Sequence, residues 1–308
     1  MQDSLFDDDD KPQEDDRAPD RPKRARRPKV APAPPDEDHR RLSATLPAPL
    51  RLGTSSWNYP GWGGLVWDER EYPEATLSRH GLPAYARHPL MRTVSLDRAF
   101  YRPLSSDQYA AYAAQVPEDF RFVVKAPSLI ADALIRGETG RGLQANPSFL
   151  DPDLALRSFA APALAGLRHR LGVLAFQLSP MPSGLLAEPA SLIARIAAML
   201  GALPELLHVA PDAVVAVEVR DAALMTPALA QMLRECGATY CLGLHAKMPP
   251  IEDQLPMLRA LWPGPLVCRW NLHRRHGAYG YEEARRLYGE FDRLVDPDPE
   301  TRSVLARV

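Results

Sequence analysis

Glu218 and Arg220 stand two residues apart at the end of the β-branched run Val214-Val215-Ala216-Val217. Alternation along a strand puts their side chains on one face, opposite Val217 and Val219. A carboxylate beside a guanidinium can bind a phosphate or sugar and hold a proton-transfer group in place; the same two residues can instead form a structural ion pair in a barrel's polar layer. Lys125 ends a second apolar run, Phe122-Val123-Val124. A lysine at a dry strand end can have a depressed pKa and act as base or Schiff-base nucleophile, or it can bind phosphate or complete a salt bridge. Trp57 and Tyr59 follow a third run, and Tyr101 and Arg102 a fourth. Aromatic faces beside an arginine suit stacking on a nucleobase or sugar ring, or packing of a loop on a barrel top. Asp97, Gln177, His245, Arg269 and Asn271 also lie at the ends of apolar segments, so the whole set makes a ring of polar groups of the kind a small-ligand or phosphate-bearing site requires.

Parallel strands are the elements that must position such a ring. Short β-branched or aromatic runs alternate with longer Ala/Leu/Arg-rich runs of helical period, which predicts βα units. Strands are expected near 51–55, 92–97, 121–125, 173–178, 214–219, 240–244 and 266–270, with helices over 105–115, 152–169, 189–200, 226–236, 254–261 and 281–294. The glycine-containing insertion 128–146 is expected to be an active-face loop. The fold class is α/β, a TIM-barrel-like (β/α) barrel whose catalytic groups project from the carboxyl ends of its strands. Such a barrel has eight strands and this chain offers seven, so residues 46–308 are expected to form a barrel lacking its eighth strand. Its free parallel edge would be a pairing hazard unless residues 306–308 or the N-terminal tail cover it.

Five ordered segments carry a resemblance: GTSSWNYPGW from Gly53, AFYRP from Ala99, FRFVVKAP from Phe120, LGVLAFQLSP from Leu171 and VEVR from Val217. In that order, over residues 51–288, the chain resembles the bacterial domain-of-unknown-function family 72, also called YecE-like. The resemblance implies a TIM-barrel-like fold and no settled activity. Relatives usually carry a Glu and an Asn where this chain has Ser95 and Asp97, and an Arg-x-His-Gly where it has Arg269-Trp270-Asn271-Leu272; the chemistry of this member is therefore expected to differ from theirs. The family's fold is similar to that of endonuclease IV and sugar isomerases, which hold divalent metals at the same mouth. The available ligands here are Asp97, Glu218, His245, His273 and His276, but the last two lie in a basic loop that reads as an anion contact, and no metal is assigned.

At 308 residues, with 45% hydrophobic and 25% charged residues, the chain suits one large domain preceded by a tail. Its net charge of −2 exerts no global pull on nucleic acid or membrane. Cys236, Cys241 and Cys268 lack CxxC spacing and read as reduced thiols, which places the protein in the cytoplasm, away from membranes. Residues 1–45, rich in proline and charge, are expected to be disordered. Their basic block, Arg21 to Lys29, can neutralise phosphates or simply be solvated. Gln2, Leu5 and Phe6 fit the short Gln-x-Ser-Leu-Phe peptide that docks replication and repair proteins on the DNA sliding clamp, Leu5 and Phe6 filling an apolar cleft.

Two functions emerge. One is an enzyme acting on a phosphate- or sugar-containing substrate such as damaged nucleic acid, with Glu218 and Lys125 catalytic and Trp57, Tyr59, Asp97, Tyr101, Arg102, Gln177, Arg220, His245, Arg269 and Asn271 binding substrate. The other is a non-catalytic nucleic-acid or partner-binding module tethered to the clamp. Neither reading specifies a cofactor.

Overall fold

A computed structural model of the chain describes residues 29–137, 142–277 and 280–308. Gln2, Leu5, Phe6 and nearly all of the basic block lie outside these residues. The strands are β1 (Leu52–Thr54), β2 (Met91–Leu96), β3 (Arg121–Lys125), β4 (Leu134–Arg136), β5 (Gly142–Ala145), β6 (Leu171–Leu178), β7 (Val214–Val219), β8 (Ala238–Leu244) and β9 (Val267–Trp270). Seven of them form one parallel sheet in the order β1-β2-β3-β6-β7-β8-β9, while β4 and β5 pair antiparallel within the insertion after β3. The seven expected strands are thus the seven of the sheet.

The two faces of the sheet differ in side-chain size, and this difference allows it to curl. Val94, Leu96, Phe122, Val124, Leu174, Phe176, Val217, Val219 and Leu242 belong to the large core under the helices. On the other face Val173, Val214, Ala216, Cys241 and Val267 form a small separate cluster. Bulky residues outside and small ones inside bend the sheet into a half-barrel, as the alternation of β7 requires: Val217 and Val219 outward, Ala216 and Glu218 inward.

The helices follow their local signals. Ser105 accepts from Gln108 N at 3.3 Å while Gln108 Oε1 accepts from Ser105 N at 2.9 Å, a capping box that starts the helix Ser106–Ala113. The helix expected over 152–169 is broken: Pro152–Ala155 runs into a π-helical stretch, Leu156–Ala160, before Ala161–Leu167. Pro162 has no N–H to give to an ordinary i→i−4 bond, which accounts for a register change here.

Composition places the tail boundary too late. Val30 is 2% exposed and Pro32 bridges to Trp67, so the folded part includes residues read as tail. The acidic run at 36–38 is a helix start: the Asp36 carboxylate accepts from Asp38 N at 2.8 Å and His39 N at 3.0 Å, and Glu37 and Asp38 occupy the first turn of Glu37–Thr45.

β1 and β9 are the outer strands, and the chain after β9 reaches back between them. Helix Tyr281–Tyr288 leads to Glu290, whose carboxylate accepts from Tyr59 Oη at 3.1 Å, and Phe291 packs on the Tyr59 ring with centroids 6.2 Å apart. Residues 306–308 do not act as an edge strand; Val304 and Val308 pack into the core instead. No helix among the described residues is long and apolar enough to cross a membrane.

A close helix contact provides a test of the packing. A Cβ on Gly166 would sit 2.3 Å from Ser106 O and 2.5 Å from Tyr109 Cβ. Gly166→Ala is expected to destabilise the fold by about 1–3 kcal/mol through overpacking, read as a lower urea midpoint at unchanged m-value.

Candidate active site at the carboxyl ends of the strands

The ends of β2, β3, β6, β7 and β9 bring Asp97, Lys125, Gln177, Glu218, Arg220 and Arg269 together. Gln177 and Glu218 are register partners on β6 and β7, both buried on the inner face. Arg269 pairs in register with Gly243 of β8. Its Nη1 donates to Gln177 Oε1 at 2.7 Å and to Glu218 Oε2 at 2.9 Å, and its Nη2 lies 3.7 Å from Asp97 Oδ2. Burial alone would lower the Arg269 pKa, but the Glu218 and Asp97 carboxylates outweigh it and raise the value.

Glu218, 3% exposed, is engaged at both oxygens, since Arg220 Nε donates to Oε1 at 3.4 Å. Asp97 follows β2 and accepts from Ser95 Oγ at 2.5 Å, so the Ser95/Asp97 exchange keeps a carboxylate at this level of the mouth. Lys125 is held differently. Its Nζ lies over the Phe100 ring, 3.9 Å from the centroid, and among the described residues it makes no hydrogen bond or ion pair. Burial lowers its pKa to about 8 against the opposing pull of Asp97. The cluster therefore holds three cations, Lys125, Arg220 and Arg269, against two carboxylates, Asp97 and Glu218, an excess of one positive charge when Lys125 is protonated.

The remaining expected site residues are placed as follows. Trp57 is 7% exposed, donates through Nε1 to Ser78 O at 3.3 Å and packs edge-on against Tyr112, so its ring belongs to the core and is unavailable for stacking on a ligand. Trp62 is the less buried of the two tryptophans. Tyr59 is turned to Glu290 and Phe291 rather than to the charge cluster. Tyr101 is 80% exposed and touches Phe100 edge-on, and Arg102 beside it is exposed. His245 is half-buried, with burial and the charge of Arg220 lowering its pKa, and Asn271 is tied through its backbone N–H to Leu244 O at 2.9 Å. His273 and His276 face the C-terminal segment, near Asp298 and Tyr288, and no group of three or more metal-ligating side chains comes together among the described residues.

Two residues at the mouth escape sequence reasoning. Phe100 lies in the AFYRP segment, where no chemistry attaches to it, although its face holds the Lys125 amine. Tyr281 reads as the start of a helix, yet its hydroxyl feels the charges of Arg269 and Asp97, and burial raises its pKa.

The profile of the protein family of unknown function DUF72 matches residues 51–306. The chain belongs to the DUF72 family. It is similar to a solved DUF72 family protein from Enterococcus faecalis V583, at 17% identity and TM-score 0.43, covering 80% of this chain and 96% of that one. A DUF72 family protein from Thermotoga maritima MSB8 is similar at 16% identity and TM-score 0.40, covering 71% and 90%. No curated protein matches the chain. The charge cluster spans strands of this DUF72 domain from β2 to β9.

Two measurements test the electrostatics. Arg269→Met leaves Glu218 buried with one partner fewer, a change expected to cost about 3–5 kcal/mol in urea unfolding; adding Glu218→Gln should recover part of the loss, and simple additivity would show the two residues are uncoupled. The folded-state pKa of Lys125 lies below its ordinary value of 10.5, so between about pH 8 and 10.5 the unfolded chain binds more protons and stability rises with pH. Lys125→Met should be more stable than the parent at pH 7, by up to about 3 kcal/mol, with the difference narrowing across that window.

Proposed function

We propose that the charge cluster is the active site of an enzyme acting on one small phosphate- or sugar-bearing ligand. The observation that carries this reading is the half-buried excess of positive charge where five strand ends converge. Guanidinium groups match the oxygens of a phosphate, and in a half-buried site their attraction is screened less than on an open surface. Arg220 is the group best placed to meet the ligand, because its bond to Glu218 is long at 3.4 Å and it lies past the end of β7. Glu218, held on both sides, supports the reading as the residue that orients Arg220 and Arg269. Lys125, whose amine has no hydrogen-bonding partner among the described residues, is the group left to accept or deliver a proton near neutral pH. The exposed ring of Tyr101, against Phe100, supports a damaged nucleotide as one form of the ligand.

Calorimetric titration with ribose 5-phosphate, ribose and a short single strand bearing an abasic site tests this. The phosphorylated forms should bind at least tenfold more tightly than ribose, and Arg220→Ala should remove that preference while leaving the unfolding midpoint within reach of the parent's. Equal binding of ribose and ribose 5-phosphate, or an Arg220→Ala protein with unchanged preference, would count against an anion site.

A further inference from the structure

We propose that Lys125 is a covalent site: its amine condenses with the carbonyl carbon of a small aldehyde or ketone held at the mouth. The phosphate-bearing form of that substrate rests on the reading above; the covalent step does not.

Three observations carry the inference. The first is the unusual isolation of the amine. Asp97 and Glu218 are both close enough to influence it, but Asp97 is engaged by Ser95 and Arg269 and Glu218 by Arg269 and Arg220. Lys125 Nζ is left over the Phe100 ring, a contact that positions the protonated side chain and supplies no hydrogen-bond acceptor to the nitrogen. The second is the choice of residue. The chain has 37 basic side chains and only five are lysines, Lys11, Lys23, Lys29, Lys125 and Lys247; every other position is arginine. Lys125 is the one lysine on a described strand. If a cation were all this position needed, arginine would serve, as it does at Arg220 and Arg269; arginine cannot become a neutral nucleophile, and lysine can. The third is the neighbourhood. Asp97, one of the charged groups acting on the amine, can pass the proton that dehydration requires, and Arg220, whose bond to Glu218 is long at 3.4 Å, would hold an anionic substituent of the substrate.

The step balances without a further reagent. The Nζ lone pair forms a C–N bond to the carbonyl carbon, and the carbonyl oxygen takes a proton to give a carbinolamine. Loss of that oxygen as water leaves a protonated imine, so that ammonium plus carbonyl gives iminium plus one water. The charged groups facing Nζ are Asp97, Glu218, Arg220 and Arg269.

Reductive trapping provides the test. The full-length protein is mixed at pH 7 with D-glyceraldehyde 3-phosphate, or with uncharged D-glyceraldehyde, in the presence of cyanoborohydride, and the five lysines are followed by peptide mass mapping. Lys125 is expected to gain the reduced adduct at least tenfold faster than Lys247 or Lys29, with the phosphorylated aldehyde reacting faster than the uncharged one. Preferential labelling of Lys125 by both aldehydes at equal rates would support the covalent site while removing the phosphate reading. No adduct on Lys125, or labelling of all five lysines at similar rates, would overturn the proposal, even if ribose 5-phosphate binds. The wild-type map decides the matter without a variant; Lys125→Arg, if folded, should lose the adduct.

Discussion

Arg269 is the interaction on which the rest of the mouth depends. It stands on β9, an outer strand, and its guanidinium meets Gln177 on β6, Glu218 on β7 and Asp97 just after β2. In the sheet order β2 and β9 are far apart, so a side chain that touches residues from both fixes the curl across the open side of the half-barrel. Backbone hydrogen bonds cannot do this where two edges do not pair. A second tie, Tyr59 to Glu290, joins the loop after β1 to the chain after β9, and Arg285 braces Glu290 at 2.9 Å. That outer tie is exposed and contributes little by itself; the buried network around Arg269 is shielded from solvent and carries the larger coupling.

The same network separates the cations by task. Arg269 is consumed by protein partners, Arg220 is partly so, and Lys125 is not. A half-buried ammonium with no ion partner among the described residues is a cost to the fold, since desolvation disfavours its charged form. It ends a strand whose Phe122 and Val124 are fully buried in the core, and its amine rests on the Phe100 ring.

Much of this was legible in the residues themselves. β-Branched runs ending in polar side chains located the seven strands, and the alternation of Val217, Glu218 and Val219 gave the inward face of β7 correctly. Trp57 was not legible: a loop tryptophan beside glycines suggests a ligand platform, yet its indole is buried against Tyr112, a contact made across more than fifty residues of sequence. Asp36 to Asp38 read as a solvated charge run because composition carries no phase, whereas one acidic cap followed by two acids in a first turn is a helix start. The meeting of Glu290 and Phe291 with Tyr59 could not be foreseen, because it joins segments more than 230 positions apart in the sequence.

The seam and the site coincide, and this constrains how any substitution there must be interpreted. Removing Arg269, Glu218 or Asp97 alters both the charge offered to a ligand and the tie between distant strands, so a lost activity at these positions says little about chemistry. Arg220 and Lys125 lie on the mouth but do not join the outer strands: Arg220 reaches its neighbour Glu218, and Lys125 rests on Phe100. Neither is needed to hold β9 against β2. Charge and closure can therefore be separated at these two residues, which differ in kind: Arg220 is a fixed cation, while the Lys125 amine can shed its proton.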